Sequence, residues 1–481
     1  MGEEKDKQRL AEELKDQEQR LEGKALSVGQ KIIYAAGNLP AALTIALVDS
    51  WIVYFYAPPA SDAAKDNLPV YLTVAMAGIL NALRYVSNAI GDPMVGWWSD
   101  RTKSKMGRRR PFILYGTLFL ALILILVWFP PTKGISMTNN IVLGFYLVIF
   151  GFLYPLVVNP YLGLMPEITP YLKERITLSG LMGLAEIIGR VIAQVAAGLV
   201  AAYFISHRYT IFSFPLDGYK VMALAAAAIT IAIYATLVAK IKETPHDAKK
   251  EVPFGIFKSV AEVFKNPSFI PYIVIIASFI LCSNLLIIIT PFFGTQVMGV
   301  SLGVAGGLLG ILMLVALAFF PLCIWVADQI GKKKTFTIAM VWFAATTPLF
   351  ILAKLIPGLD QIQLTIFNHV FTGPQIFGGI LYFIVAPPVS AVLVLQRPMI
   401  SDVIDHDEKL TGFRRESMYM GAEGLITKLA WAASFLIAPF LMKFFGNTTE
   451  KPWGILLNGP VAALVLFIAT WYYAKKYPFQ R

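Results

Sequence analysis

The chain has 481 residues, of which 57% are hydrophobic and 15% charged, with a formal net charge of +11. Soluble domains carry about 25% charged residues, and 14 of the 71 charges here sit in residues 1–30. This composition excludes a soluble enzyme, a disordered chain and a nucleic-acid binder, and it fits a polytopic α-helical membrane protein whose backbone bonds close within its own helices.

Residues 1–29 form a charged N-terminal segment, read as an exposed cytoplasmic helix. It lacks the apolar core of a signal peptide. Apolar segments then follow at 30–57, 69–99, 111–129, 139–166, 176–204 and 219–240. A polar linker spans 241–267, with Pro245, His246, Asp247 and the pair Lys249-Lys250. Six more segments lie at 268–298, 302–330, 334–356, 376–402, 417–445 and 454–474, before a short tail at 475–481. Each is long enough to cross roughly 30 Å of hydrocarbon. The expected fold is all-α: twelve transmembrane helices in two six-helix lobes, 30–240 and 268–474, multi-pass in the cell membrane and monomeric. Cys282 and Cys323 lie inside apolar runs and read as packing, not as a disulfide or metal set. No phosphate-binding glycine loop or hydrolase motif occurs, so no cofactor, metal or enzymatic activity is expected; a transport-dead sensor or enzyme is the remote alternative.

Basic residues cluster in alternate loops. Arg101, Lys103, Lys105, Arg108, Arg109 and Arg110 fill one loop, and Lys332, Lys333 and Lys334 another. The linker is also basic, and the tail has Lys475, Lys476 and Arg481, whereas the intervening loops hold only Lys65, Lys133, Arg208 and Lys451. Basic loops stay in the cytoplasm, which places both termini there.

The two halves repeat a motif. Trp98-Ser99-Asp100 precedes Gly107-Arg108-Arg109-Arg110, and Trp325-Val326-Ala327-Asp328 precedes Gly331-Lys332-Lys333-Lys334. Both sit between the second and third helices of a six-helix set. Two similar halves joined by a linker is the plan of transporters that rock around a central site.

Two blocks carry a family resemblance. One is Gly91-Asp92-Pro93-Met94-Val95-Gly96-Trp97-Trp98-Ser99-Asp100-Arg101-Thr102 with Gly107-Arg108-Arg109-Arg110-Pro111. The other comprises Ser401-Asp402, Asp405-His406-Asp407-Glu408, Thr411-Gly412, Arg415-Glu416 and Lys428. The chain resembles the glycoside–pentoside–hexuronide:cation symporters of the major facilitator superfamily; its Gly107–Ile113 run also resembles sucrose transporters. The resemblance implies cation-coupled symport of a sugar or glycoside by alternating access. It places the coupling carboxylate at Asp92 and the helix-11 lysine at Lys428. The family's other cation carboxylates fall on Asn88, near Ala42 and near Val158. A hard sodium ion needs several oxygen ligands, whereas a proton needs one titratable group, so proton coupling is favoured over sodium.

Charged residues within the membrane are costly and mark function by default. Arg84, Asn88 and Asp92, spaced by four, share one helix stripe. Asp92 reads as the coupling group or as an anchor for its helix end. Lys428 lies too deep to snorkel and needs a partner acid or a wet cavity. Glu186 and Arg190 can pair at i, i+4 or bind substrate. Glu423 is a candidate gate or substrate residue, and Asp49 a candidate substrate or interface residue. Trp431, Trp51 and Tyr161 are candidate rings for a sugar face, or simply core. Asp402 ends an apolar segment broken at Pro387-Pro388 and Pro398, and Asp405 and Asp407 are placed in the cytoplasmic loop after it. With Arg415, Glu416, Asp100, Arg101, Arg108, Arg109 and Arg110 they form a candidate cytoplasmic gate, the 402–408 acids facing the basic 101–110 and 332–334 loops. The intramembrane bases also suit an organic anion, and a drug or a lipid is a further alternative substrate.

Overall fold

The computed structural model describes residues 26–169, 172–206, 209–211, 214–243, 263–366, 369–412 and 415–479. Most of the charged N-terminal segment and of the linker therefore lies outside the described residues. The first lobe contains α1 (Val28–Tyr56), α2 (Val74–Arg101), α3 (Arg110–Leu126), α4 (Met137–Gly163), α5 (Leu172–Val191, continued by Ala197–Ser206) and α6 (Gly218–Lys240). The second contains α7 (Phe269–Gln296), α8 (Leu302–Ala318 and Phe320–Ile330), α9 (Lys332–Leu355), α10 (Gly373–Thr411), α11 (Glu416–Phe445) and α12 (Trp453–Lys476).

Nine of these, among the described residues, are long and apolar enough to cross a membrane, and the two pieces of α8, bent by 45°, make a tenth. The other two fail for visible reasons. α3 has only 17 residues. α2 carries Asn81, Arg84, Asn88 and Asp92 along its length, because it packs against α4 and α11 inside the bundle.

Local sequence explains the irregular helices. α1 starts on a capping box, with the Ser27 and Gln30 side chains each bonded to the other's backbone amide, a reciprocal use of orphan donors. α8 bends at Phe319, just before Pro321, where the ring removes a helix donor. α5 contains a π turn at Ile192–Ala196; the Trp51 indole donates to the Ala193 carbonyl there at 2.9 Å.

α10 departs from expectation. It runs as one helix of 39 residues through Pro387, Pro388 and Pro398, so the expected break is absent, and Asp405 and Asp407 continue the helix beyond Asp402 instead of lying in a loop. The apolar pattern stops near 402 because the helix leaves the hydrocarbon, not because it ends. Two short antiparallel hairpins, Tyr209–Ile211 with Phe214–Leu216 and Gln363–Ile366 with His369–Thr372, add strand to an otherwise helical fold.

The repeated motif has a backbone cause. Gly107 and Gly331 both have positive φ, 103° and 88°. Only glycine takes such a turn cheaply, so each half reverses direction between its second and third helices on the same residue type.

The lobes meet mainly at the end opposite the basic loops. Gly78 of α2 lies against Phe435 and Pro439 of α11. Gly198 of α5 and Gly303, Gly306 and Gly310 of α8 let those two helices approach closely, as small residues do in membrane bundles. Tyr54 meets Phe292 edge to face at 5.1 Å. Gln296 of α7 accepts from the Ser61 hydroxyl at 2.5 Å and from the amide and hydroxyl of Thr449 at 3.0 Å each. That end of the molecule is closed.

Candidate substrate and coupling site

Asp92 of α2 and Lys428 of α11 form an ion pair between the lobes, with side chains 29% and 20% exposed. The Asn159 amide of α4 donates to the other Asp92 oxygen at 3.0 Å. Asn88, one turn away, is buried, and its amide oxygen has no hydrogen-bond partner among the described residues.

One further turn toward the closed end, Arg84 pairs with Asp49, and both are buried. The Tyr85 hydroxyl lies 2.9 Å from each Asp49 oxygen. Its ring stacks on Trp431 at 5.4 Å and on Phe435 at 5.8 Å, both on α11. The buried pair thus fixes the side chain that touches the other lobe.

On α5, Arg190 and Glu186 pair at 3.0 Å, and their side chains remain 25% and 42% exposed. The Asn38 amide of α1 reaches Glu186 at 3.4 Å and the Met182 carbonyl at 3.1 Å. Asp49, Asp92, Glu186 and Arg190 all lie within electrostatic reach of Tyr154 on α4. These charges from three helices of one lobe therefore converge around α4, with Lys428 entering from the other lobe.

The basic end is held within each lobe. Arg108 pairs with Glu167, and Arg109 meets the same carboxylate at 3.0 Å. Burial pushes the Glu167 carboxyl above its usual range despite these two cations. Glu243 accepts from the Arg108 and Arg109 amides at 3.0 and 3.1 Å, satisfying donors at the start of α3. In the second lobe Lys332 pairs with Asp402 at 2.5 Å, and Arg415 with Asp407 at 2.5 Å.

Residues 33–470 match the family described as MFS/sugar transport protein. The chain belongs to this family. It is similar to an isoprimeverose transporter of Lactiplantibacillus pentosus, 24% identical over 85% of this chain and 81% of that one. It is also similar to a sodium-dependent lysophosphatidylcholine symporter of Xenopus tropicalis, 24% identical over 88% and 81%. Among solved structures, a D-xylose-proton symporter superposes with a TM-score of 0.61 at 16% identity, covering 94% of this chain and 98% of that chain. The protein is thus a multi-pass transporter of the major facilitator fold, not an enzyme.

In this MFS/sugar transport protein some of the candidates lie together. Asp92 pairs with Lys428, with Asn88 one helix turn from Asp92, and Glu186 pairs with Arg190. Others fall elsewhere. Trp51 and Tyr161 are fully buried, and Tyr161 exchanges hydroxyl-to-carbonyl bonds with Tyr34 at 2.9 and 2.8 Å, so neither offers a ring to a ligand here. Asp49 is an interior ion-pair partner, not an interface residue, and it occupies Arg84. Glu423 is buried among Tyr272 and Gln396 of its own lobe, accepting at 2.9 and 2.5 Å.

Of the expected contacts between the 402–408 acids and the basic loops, the one with 332–334 is made by Lys332 and Asp402, and the one with 101–110 is not made among the described residues. Among the described residues, the acids against Arg108 and Arg109 are Glu167 and Glu243, because the lobes close at the other end. Arg110 donates to the Met106 carbonyl at 3.2 Å, and Arg101 lies over the Trp97 ring at 4.6 Å. Asp405 is exposed on α10. The side chains of Asp100 and Glu416 lie outside the described part. Glu167, Glu243, Asn159 and Tyr154 were missed; the first two lie just beyond helix ends, where an acid facing a run of arginines was the available signal.

Proposed function

We propose that this transporter is a cation-coupled symporter that uses a proton at Asp92 and carries a sugar or glycoside. The carrying observation is the Asp92–Lys428 ion pair between the lobes. Protonating Asp92 removes its charge and with it the attraction that ties α2 to α11. Movement of the substrate-loaded lobes then depends on proton loading, while the empty lobes reorient with the pair intact, which is the requirement for coupling. A sodium ion at Asp92 would have to displace the Lys428 ammonium, whereas a proton needs only the carboxyl oxygen. The sugar class rests on the isoprimeverose-transporting relative and on the partly exposed Glu186–Arg190 pair, whose donors and acceptor suit hydroxyl groups.

A second reading is an anionic or zwitterionic amphiphile. The relative named as a lysophosphatidylcholine symporter favours it, as does the partly exposed Arg190 guanidinium.

Proteoliposomes test both readings. Uptake of a glycoside set driven by an inward proton gradient supports the first, and uptake of lysophospholipids the second. Asp92→Asn, a mimic of the protonated acid, should abolish uphill uptake and leave substrate exchange measurable. Accumulation driven by sodium and indifferent to pH would overturn the proton assignment.

A further inference from the structure

A groove of about 530 Å³ runs along the second lobe between α7 and α12. Ile270, Val274 and Ser278 line one wall, and Val465, Ile468 and Ala469 the other, with Trp471 and Tyr472 at the end nearest the basic loops. Ile468 and Trp471 are 57% and 56% exposed. In a membrane protein such a surface faces lipid. The walls offer two side-chain hydroxyls, Ser278 and Tyr472, so a polar solute would find few partners along them. From Ile270 to Ser278 the groove follows α7 for roughly 12 Å at helical rise.

The mouth of the groove is cationic. Lys475 and Lys476 are exposed on the last turn of α12. Lys475 Nζ lies 4.1 Å above the centre of the Trp471 ring, which brings a charge to the edge of the apolar wall. Neither lysine has an acid within ion-pair distance among the described residues. Asp402, which lies within electrostatic reach of Tyr473 and Tyr477, is paired with Lys332. Two unneutralised ammonium groups beside an apolar slot match a ligand with a hydrocarbon chain and an anionic head.

We propose that this groove binds one anionic phospholipid, its acyl chain against α7 and α12 and its phosphate at Lys475 and Lys476. A basic residue near a membrane surface contributes about fivefold to binding an anionic lipid, so two contribute about thirty-fold.

The test titrates the purified full-length protein with phosphatidylglycerol and with phosphatidylcholine of the same chains, read by native mass spectrometry and thermal shift. Phosphatidylglycerol should bind about thirty-fold more tightly. Lys475→Ala with Lys476→Ala should erase that preference and leave phosphatidylcholine binding unchanged. Ser278→Trp, which fills the groove, should abolish binding of both, while Ser278→Ala keeps it. Equal binding of the two lipids by the native protein would overturn the proposal. So would a preference that survives the double lysine change, or a folded Ser278→Trp that still binds. If Ser278→Trp does not fold, the double lysine variant decides alone. Stabilisation by chain-free glycerol phosphate as strong as by the lipid would also overturn it, in favour of a soluble-anion site.

Discussion

Tyr85 of α2 lies nearly flat on Trp431 of α11, with ring centroids 5.4 Å apart and planes 17° from parallel. Two turns of α2 separate it from Asp92, whose partner Lys428 lies one turn from Trp431. One ion pair and one aromatic stack thus join the same two helices at successive levels. Trp431, a candidate platform for a sugar ring, is occupied by Tyr85 when the far end is closed. The ring face that meets Tyr85 becomes available only when α2 and α11 separate.

Removing that stack should loosen the closed end. Such pairs contribute about 0.5–1.5 kcal/mol beyond area burial. Trp431→Ala should therefore shift the balance toward the state open at the far end by about twofold to twelvefold. Spin labels at positions 65 and 450, both exposed at that end, report it by electron–electron distance measurement. An unchanged distance distribution would show that Tyr85–Trp431 does not hold the lobes.

Lys428→Ala leaves Asp92 with Asn159 as its remaining described partner. Both accumulation and exchange should fall by more than about tenfold, or ~1.4 kcal/mol, in contrast with Asp92→Asn. Initial rates in proteoliposomes measure both. Retention of full exchange would mean that the lysine is dispensable for lobe movement.

Asp49→Ala should be a folding defect before it is a transport defect. Its partner Arg84 is 2% exposed, and removing one member of such a pair costs about 3–5 kcal/mol. Arg84→Met added to Asp49→Ala should recover part of the loss, because no charge is then left buried. Thermal unfolding in detergent, compared across the single and double variants, checks this.

The orientation rests on the basic loops. A membrane-impermeant thiol reagent added outside intact cells should modify a cysteine at position 65. It should modify one at position 409 only after permeabilisation. Both positions are exposed. Labelling at 409 from outside would invert the topology.

The bundle was legible because apolar length and basic loops are local properties. The Asp92–Lys428 meeting was legible through two isolated charges in apolar helices and the family resemblance. What escaped depended on contacts between distant segments. Nothing near Arg84 in sequence indicates that Asp49, 35 residues away, occupies it. Trp51 and Tyr161 read as possible sugar platforms because an aromatic residue looks the same facing a cavity or a neighbour. Glu167 and Glu243 lie 59 and 135 residues from Arg108. The end of α10 was missed because hydropathy detects the edge of the hydrocarbon rather than the edge of a helix.

Under the proposed proton coupling, the Asp92–Lys428 pair also sets how the carrier responds to voltage. Carboxylate and ammonium together carry no net charge, so a membrane potential does no work on the unprotonated pair as the empty lobes reorient. Once Asp92 takes up a proton, the lysine's positive charge is left uncompensated, and the loaded step alone moves charge through the field. A potential of 100 mV biases one charge by about 2.3 kcal/mol. Transport currents should therefore follow voltage through the loaded half of the cycle, and the empty return should be electrically silent.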